Sequence, residues 1–327
     1  MKHCSINQIL NAKSAGDIFS ADPNIMKTEY RNYAKVYHPD VCHREDVMTT
    51  VNTLFAQAKK MLENKDWEQT NVLFFSDTTL NKRYALHYNQ MYKFEYGYYY
   101  VGDYTLIYMF KEEKPWKHYI EAVKNIKYVD SKIESYFRQF MPDIKQAGKC
   151  NKGWYVAINK DKNVYPLSEV LRHFNGKVDS KHSAWITTRL NNIVCFLKTT
   201  NLVHNAITID NLFVKPSSHG IYLLGGWWFA VKDNDKMVGC PKAVYNVMPP
   251  KTKTDKIANR TVDIESVKQI TKNISKDVKP PIAEWYNTGS TDNPFENLDK
   301  WDNALTNAYG KRRFTKMEIN ENEIYAG

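Results

Sequence analysis

The chain reads as a multidomain protein in which a small all-α helical hairpin precedes a larger α+β domain. Three observations predict this. Residues 22–62 carry apolar side chains at helical spacing on two successive stretches, with a proline-containing break between them. Residues 82–113 are rich in tyrosine and β-branched residues and are broken by Gly97 and Gly102-Asp103, the pattern of a β-meander. Beyond residue 183 the apolar period is mostly helical again, and a small sheet followed by helices is an α+β arrangement.

The first helix of the hairpin opens with Asp22-Pro23, an N-cap followed by proline at the first helical position, where a missing N–H costs nothing. Met26, Tyr30, Tyr33 and Tyr37 form its apolar stripe, and Lys27, Arg31 and Lys35 a basic stripe on another face. His38-Pro39-Asp40 follows. Val47, Val51, Leu54, Phe55, Ala58 and Leu62 then mark the second helix. A short connection predicts an αα-hairpin sealed by Tyr33, Tyr37, Leu54 and Phe55. The hairpin domain spans about 1–66, and the mixed stretch 67–81 holds no single period and reads as a linker. After the meander come a helix over 131–141, a strand over 153–158, a short helix over 167–174 and a long one over 183–200. Beyond 260 the pattern is helical, with breaks at Pro249-Pro250 and Pro280-Pro281.

Composition sets further bounds. The 327 residues suffice for two or three domains. No apolar run reaches the length of a transmembrane helix, and MKHCSINQIL lacks the basic-then-apolar pattern of a signal peptide. Five scattered cysteines without a CxxC spacing point neither to zinc nor to a disulfide framework, and a reducing cytoplasm is the expected location. The net charge of +10 lies entirely beyond residue 70, because residues 1–70 carry nine basic and nine acidic side chains. That excess permits nucleic-acid binding. The densest stretch, 251–279, lacks aromatic interleaving, which favours a solvated basic face instead.

Around His38-Pro39-Asp40 the chain resembles the J-domain, the signature module of DnaJ-like co-chaperones, over about residues 15–64. Gly16-Asp17-Ile18-Phe19 stands in for its first helix, and a clear fourth helix is missing. In that family this loop and the basic helix face dock on a DnaK-type heat-shock chaperone and stimulate its ATP hydrolysis. The resemblance implies those roles for His38, Pro39, Asp40, Lys27, Arg31 and Lys35. The plain alternative is that Pro39 merely ends a helix and the cations are solvated.

Over about 82–320 the chain resembles a bilobal protein kinase, with a small lobe at about 82–160 and a large lobe at about 161–320. His204, with Asn211 seven residues on, follows the pattern H-R-D-x-x-x-x-N of the catalytic loop. GIYLLGGWWFAV sits where the family has a strand ending in Asp-Phe-Gly. LIYMFK ends at Lys111, matching the small-lobe lysine, with Glu134 placed as its helix partner. TVDIESV puts Asp263 at the start of a helix, and PFENLDKWDNALTNAYGKRRF resembles the last helices of the large lobe.

The departures point away from catalysis. The aspartate that accepts the substrate proton is replaced by Ala206, the preceding arginine by Asn205, and the following lysine by Thr208. The magnesium-binding aspartate falls at Gly225 or Gly226, and tyrosines occupy the glycine-rich loop over the ATP phosphates. The resemblance is therefore to a pseudokinase, with no cofactor and weak or absent ATP binding. Plainer roles stand beside each retained residue: a solvated Lys111, Asn211 as a loop cap, His204 as core, and Trp227 and Trp228 as core or as a plug of the old cleft. Asp210 is the one candidate for a substitute base.

The combined expectation is a non-enzymatic adaptor or co-chaperone in the cytoplasm. It recruits a DnaK-type chaperone and holds an unknown protein target on the pseudokinase domain, without a membrane. The fusion, in a lysine- and asparagine-rich chain, suggests a phage source and a host chaperone. An active atypical kinase or nucleotide-dependent transferase, and a nucleic-acid-binding protein using the basic large lobe, are the alternatives.

Overall fold

The computed structural model describes residues 1–311, 313–320 and 323–325; Arg312, within the terminal helical segment named above, lies outside them. The chain is an α+β protein that divides into two compact units. The first comprises Met1–Tyr92 with Tyr100–Gly102 and Gly148–Lys152. The second comprises Lys93–Tyr99, Asp103–Ala147 and the chain from Gly153 onward.

The first unit opens with α1 (Ile6–Leu10), α2 (Ala15–Ile18), α3 (Pro23–Tyr37), α4 (Pro39–Cys42) and α5 (Glu45–Glu63). Asp22 caps α3, accepting the N–H of Asn24 at 2.8 Å and of Ile25 at 3.0 Å. The core joins Ile9, Ile18, Phe19, Met26, Tyr33, Val47, Val51 and Leu54. Phe55 is only half-buried, stacked on Tyr30 at 4.2 Å and beside Phe19 at 5.5 Å. Glu29, an acid on the inner face of α3, is fully buried; its carboxylate accepts the Ser20 N–H at 2.8 Å, the Ser20 hydroxyl at 2.6 Å and the Lys2 N–H at 2.5 Å. It thereby ties the N-terminal segment and the approach to α3 together.

Residues 67–81, read as a linker, are in fact structured. They contain β1 (Val72–Asp77), which pairs antiparallel with β2 (Lys82–His87) from Val72 opposite His87 to Asp77 opposite Lys82. The approach to β1 is fastened to α2. Asp17 accepts the N–H and hydroxyl of Thr70, both at 2.7 Å, and Ser14 donates to the Glu68 carbonyl at 2.8 Å. A Cβ on Gly16 would stand 2.1 Å from that carbonyl, so only glycine allows the approach. The six-residue run VLFFSD is too short for its period to stand out between polar flanks. Strand order in this unit is β2-β1-β6, the last contributing Cys150 opposite Asp77.

The remaining strands are β3 (Gln90–Phe94), β4 (Gly97–Val101), β5 (Thr105–Phe110), β6 (Asp143–Cys150), β7 (Gly153–Asn159), β8 (Tyr165–Pro166), β9 (Leu202–Val203), β10 (Leu212–Lys215), β11 (Gly220–Leu223) and β12 (Val231–Lys232). The helices are α6 (Glu113–Lys124), α7 (Ser131–Phe137), α8 (Leu167–His173), α9 (Ser180–Thr199), α10 (Lys242–Val247), α11 (Pro250–Asp255), α12 (Thr261–Ile274), α13 (Pro280–Asn287) and α14 (Pro294–Tyr309). Within the second unit the strand order is β6-β7-β5-β4, with β5 and β7 antiparallel from Thr105 opposite Asn159 to Phe110 opposite Trp154. A separate ladder runs β11-β10-β8, and β9 pairs with β12. Helices α9, α12 and α14 pack together around Ile186, Ile193, Ile264, Val267 and Trp301. Sequence reading missed α6, because Pro115 disguises it. That proline lies in the first turn, where its absent N–H has no intrahelical partner to lose. No helix among the described residues is long and apolar enough to cross a membrane.

Candidate functional sites

Two sites stand out, one on each unit. On the first, His38 ends α3 and caps α4: its Nδ1 accepts the Asp40 N–H at 3.3 Å and lies 3.3 Å from the Asp40 carboxylate. The expected loop is thus a helical turn. Proline at its first position presets the backbone, and His43 ends it in the left-handed conformation at φ +53°. The His38 and Asp40 side chains are 54% and 86% exposed, and α4 buries no residue. Lys27, Arg31 and Lys35 are also exposed, and none forms an ion pair among the described residues. The turn and the basic stripe therefore contribute little to the core and face solvent together.

On the second unit, residues far apart in the chain converge. Asp263, at the start of α12, is buried and accepts the N–H of His204 at 2.7 Å through one oxygen and of Asn205 at 2.9 Å through the other. Asn205 holds φ +59°, a left-handed conformation that Asn tolerates, and its amide donates to the Val203 and Phe229 carbonyls at 3.3 and 3.2 Å. Asn211 donates to the Ala206 carbonyl at 2.9 Å, and its own carbonyl accepts the Gly225 N–H at 3.1 Å. This is the loop-capping role, with the amide turned to backbone. His204 is fully buried, edge-on to Trp227 at 4.9 Å, and its ring nitrogens have no well-formed partner. Burial depresses its pKa to about 3, against a small opposing effect of the Gly225 backbone. Burial raises that of Asp263 to about 7, against the two N–H donors.

The two glycines have no room for side chains. A Cβ on Gly225 would lie 2.5 Å from the Asn211 Oδ1 and 2.6 Å from the Tyr108 hydroxyl. On Gly226, at φ +81°, it would lie 2.6 Å from the His204 ring and 2.9 Å from the Ala206 Cβ. Beyond them Trp228 fills the interior against Phe94 at 4.7 Å, Tyr108 at 5.4 Å, Phe110 at 5.8 Å and Tyr119 at 6.0 Å. The Tyr119 hydroxyl donates to the Leu224 carbonyl at 2.8 Å, and the His118 Nε2 lies 2.7 Å from the Ala230 carbonyl, so α6 is fastened to this segment. Gly97 answers to packing too: a Cβ there would stand 1.9 Å from the Met109 carbonyl.

Lys111 and Glu134 do not come together as an ion pair. The Lys111 ammonium lies over the Tyr98 ring at 5.8 Å, whereas Glu134 pairs with Arg138 at 2.6 Å one turn along α7. The helix directly after Lys111 is α6, which sequence reading did not see. Asp210 is exposed, yet partial desolvation raises its pKa; its charge in turn adds to the burial that raises Glu95. Among the described residues no three His, Cys, Asp or Glu side chains are grouped to hold a metal. No protein-family model matches the chain, and no curated protein matches it either.

Proposed function

We propose that the protein is a non-enzymatic adaptor: a J-domain-like module that recruits and stimulates a DnaK-type chaperone, joined to a pseudokinase that holds a protein target. The observation that carries the first half is the α4 turn. It exposes His38 and Asp40, buries nothing, and shares one compact unit with three exposed cations on α3 that form no ion pair among the described residues. Unpaired surface cations steer an acidic partner, and an exposed preset turn offers it a fixed contact.

The pseudokinase reading draws support from the convergence of His204, Ala206, Asn211, Gly225, Gly226 and Asp263, the residues at which the chain resembles the kinase large lobe. The expectation of no kinase chemistry draws support from the crowding at Gly225 and Gly226, where a carboxylate would collide with its neighbours, and from Ala206, which carries no proton acceptor. Binding a target beside a recruited chaperone raises the local chaperone concentration to about millimolar for a short tether. The setting is a cytoplasm, that of a host cell if the chain is viral. Co-purification from such a cell, wild type beside His38→Gln, tests the whole reading. A DnaK-type chaperone should be retained by the wild type alone, while the target is retained by both.

A further inference from the structure

One surface of the second unit carries cations that no acid of the fold answers. Residues 236–256 hold five lysines, Lys236, Lys242, Lys251, Lys253 and Lys256, against one acid, Asp255. All but the half-buried Lys253 are exposed, and none of the five forms an ion pair among the described residues. Asp255 instead accepts the Ile257 N–H at 2.9 Å. The segment folds as one piece. Val244 and Met248 pack on Val262 beside Met237 and Cys240, and an antiparallel bridge from Lys236 to Ile257 brings Lys236 to the end of α11. Tyr245 stays outside that small core and is 52% exposed. Lys242, three residues earlier, shares its face of α10. The Lys253 ammonium, from α11, lies over the Tyr245 ring at 5.1 Å and donates to the Asn246 carbonyl at 3.3 Å. The aromatic group that 251–279 lacks in the sequence is therefore supplied by α10.

We propose that this surface binds single-stranded nucleic acid: a base stacks on the exposed side of Tyr245, and Lys242, Lys253 and the lysines around them meet the phosphates on either side. Exposed lysines alone are ordinary, and an acidic protein would also be drawn to them. The ring decides between the two partners. A half-exposed tyrosine with one cation beside it on its own helix and another over its ring offers a base a stacking platform flanked by phosphate contacts. A carboxylate side chain gains nothing from that platform. Stacking tolerates any base, so the surface holds a strand without reading its sequence. The activity is independent of the chaperone contact, since it belongs to the other unit.

Fluorescence anisotropy of a labelled oligothymidylate with the full chain, over a range of salt concentrations, tests this. Affinity should fall with a slope of about −3.5 in log K against log salt, the value for five phosphate contacts on a single strand. Tyr245→Ala should weaken binding about tenfold with the slope unchanged, and Tyr245→Phe should bind as the wild type does. Lys251→Gln/Lys256→Gln should flatten the slope by about 1.4, whereas Lys272→Gln/Lys276→Gln, which removes the same charge from exposed positions at the far end of α12, should leave it as it is. Thermal melts should show every variant folded, because each change lies at the surface. No binding by the wild type at low salt would overturn the proposal. So would unaltered binding by Tyr245→Ala, or an equal loss from the two lysine pairs, which would report attraction to the net charge alone. Equal affinity for a duplex of the same length would remove the stacking platform. Displacement of the oligonucleotide by polyglutamate of the same charge would assign the surface to an acidic protein instead.

Discussion

Asp263 and His204 lie one hydrogen bond apart and titrate in opposite senses. From about pH 3 to 6.5 the unfolded chain binds a proton on His204 that the folded chain refuses, so this group makes stability rise with pH. From about pH 4 to 7 the folded chain keeps a proton on Asp263 that the unfolded chain has lost, so this group makes stability fall with pH. Each effect reaches roughly 1 kcal/mol per pH unit, and across about pH 4 to 6.5 they oppose one another. Asp263→Asn should therefore give a second unit whose stability climbs with pH in that window relative to wild type, and His204→Gln one whose stability declines. Urea unfolding followed by tryptophan fluorescence at several pH values reads both slopes; slopes equal to the wild type would contradict the assignment. His204, Asn211 and Asp263 were singled out in the sequence only through the resemblance to the kinase large lobe. It did not reveal that Asp263 holds the backbone of His204, a bond spanning 59 residues. Glu29 was missed because an acid on a helix ordinarily faces water. The available signal was its place three residues after Met26 and four before Tyr33, on the stripe that both bury.

At the scale of elements, the α3–α5 pair follows its apolar periods closely, since an N-cap, a proline and two stripes all agree. Where those signals were weak, tertiary contacts decided. Strand β1 exists because Asp17, Ser14 and Gly16 fasten its approach to α2, and α6 is fastened through Tyr119 and His118 to the segment after β11. Neither arrangement is visible in a local window. Phe55, expected inside the seam, lies at its edge between Tyr30 and Phe19, with Lys59 over its ring at 4.5 Å. Phe55→Ala should then cost about 2 kcal/mol, below the 3–5 kcal/mol of a fully buried phenylalanine. Chemical denaturation of the full chain, with the first unit followed by amide hydrogen exchange in α3 and α5, measures the loss. A cost of full-burial size would place Phe55 in the core instead.

For the whole molecule, the division of labour makes two separable claims. The second unit should carry out no phosphoryl transfer. Ala206 offers no base, and a carboxylate at Gly225 or Gly226 would collide with Asn211, Tyr108 or His204. Radiolabelled ATP with magnesium or manganese should label neither the chain nor added proteins above a Lys111→Ala control. Labelling that vanishes in Lys111→Ala or Asp210→Ala would establish an enzyme. The first unit should act on another protein's ATPase. The measurement that bears on this most directly is single-turnover ATP hydrolysis by a DnaK-type chaperone with the full chain added. Wild type should accelerate hydrolysis, and His38→Gln should abolish the acceleration while its thermal melt falls only slightly, because the exposed His38 gives up no more than the cap of the short α4. Equal acceleration by wild type and His38→Gln, or none by either, would contradict the adaptor assignment.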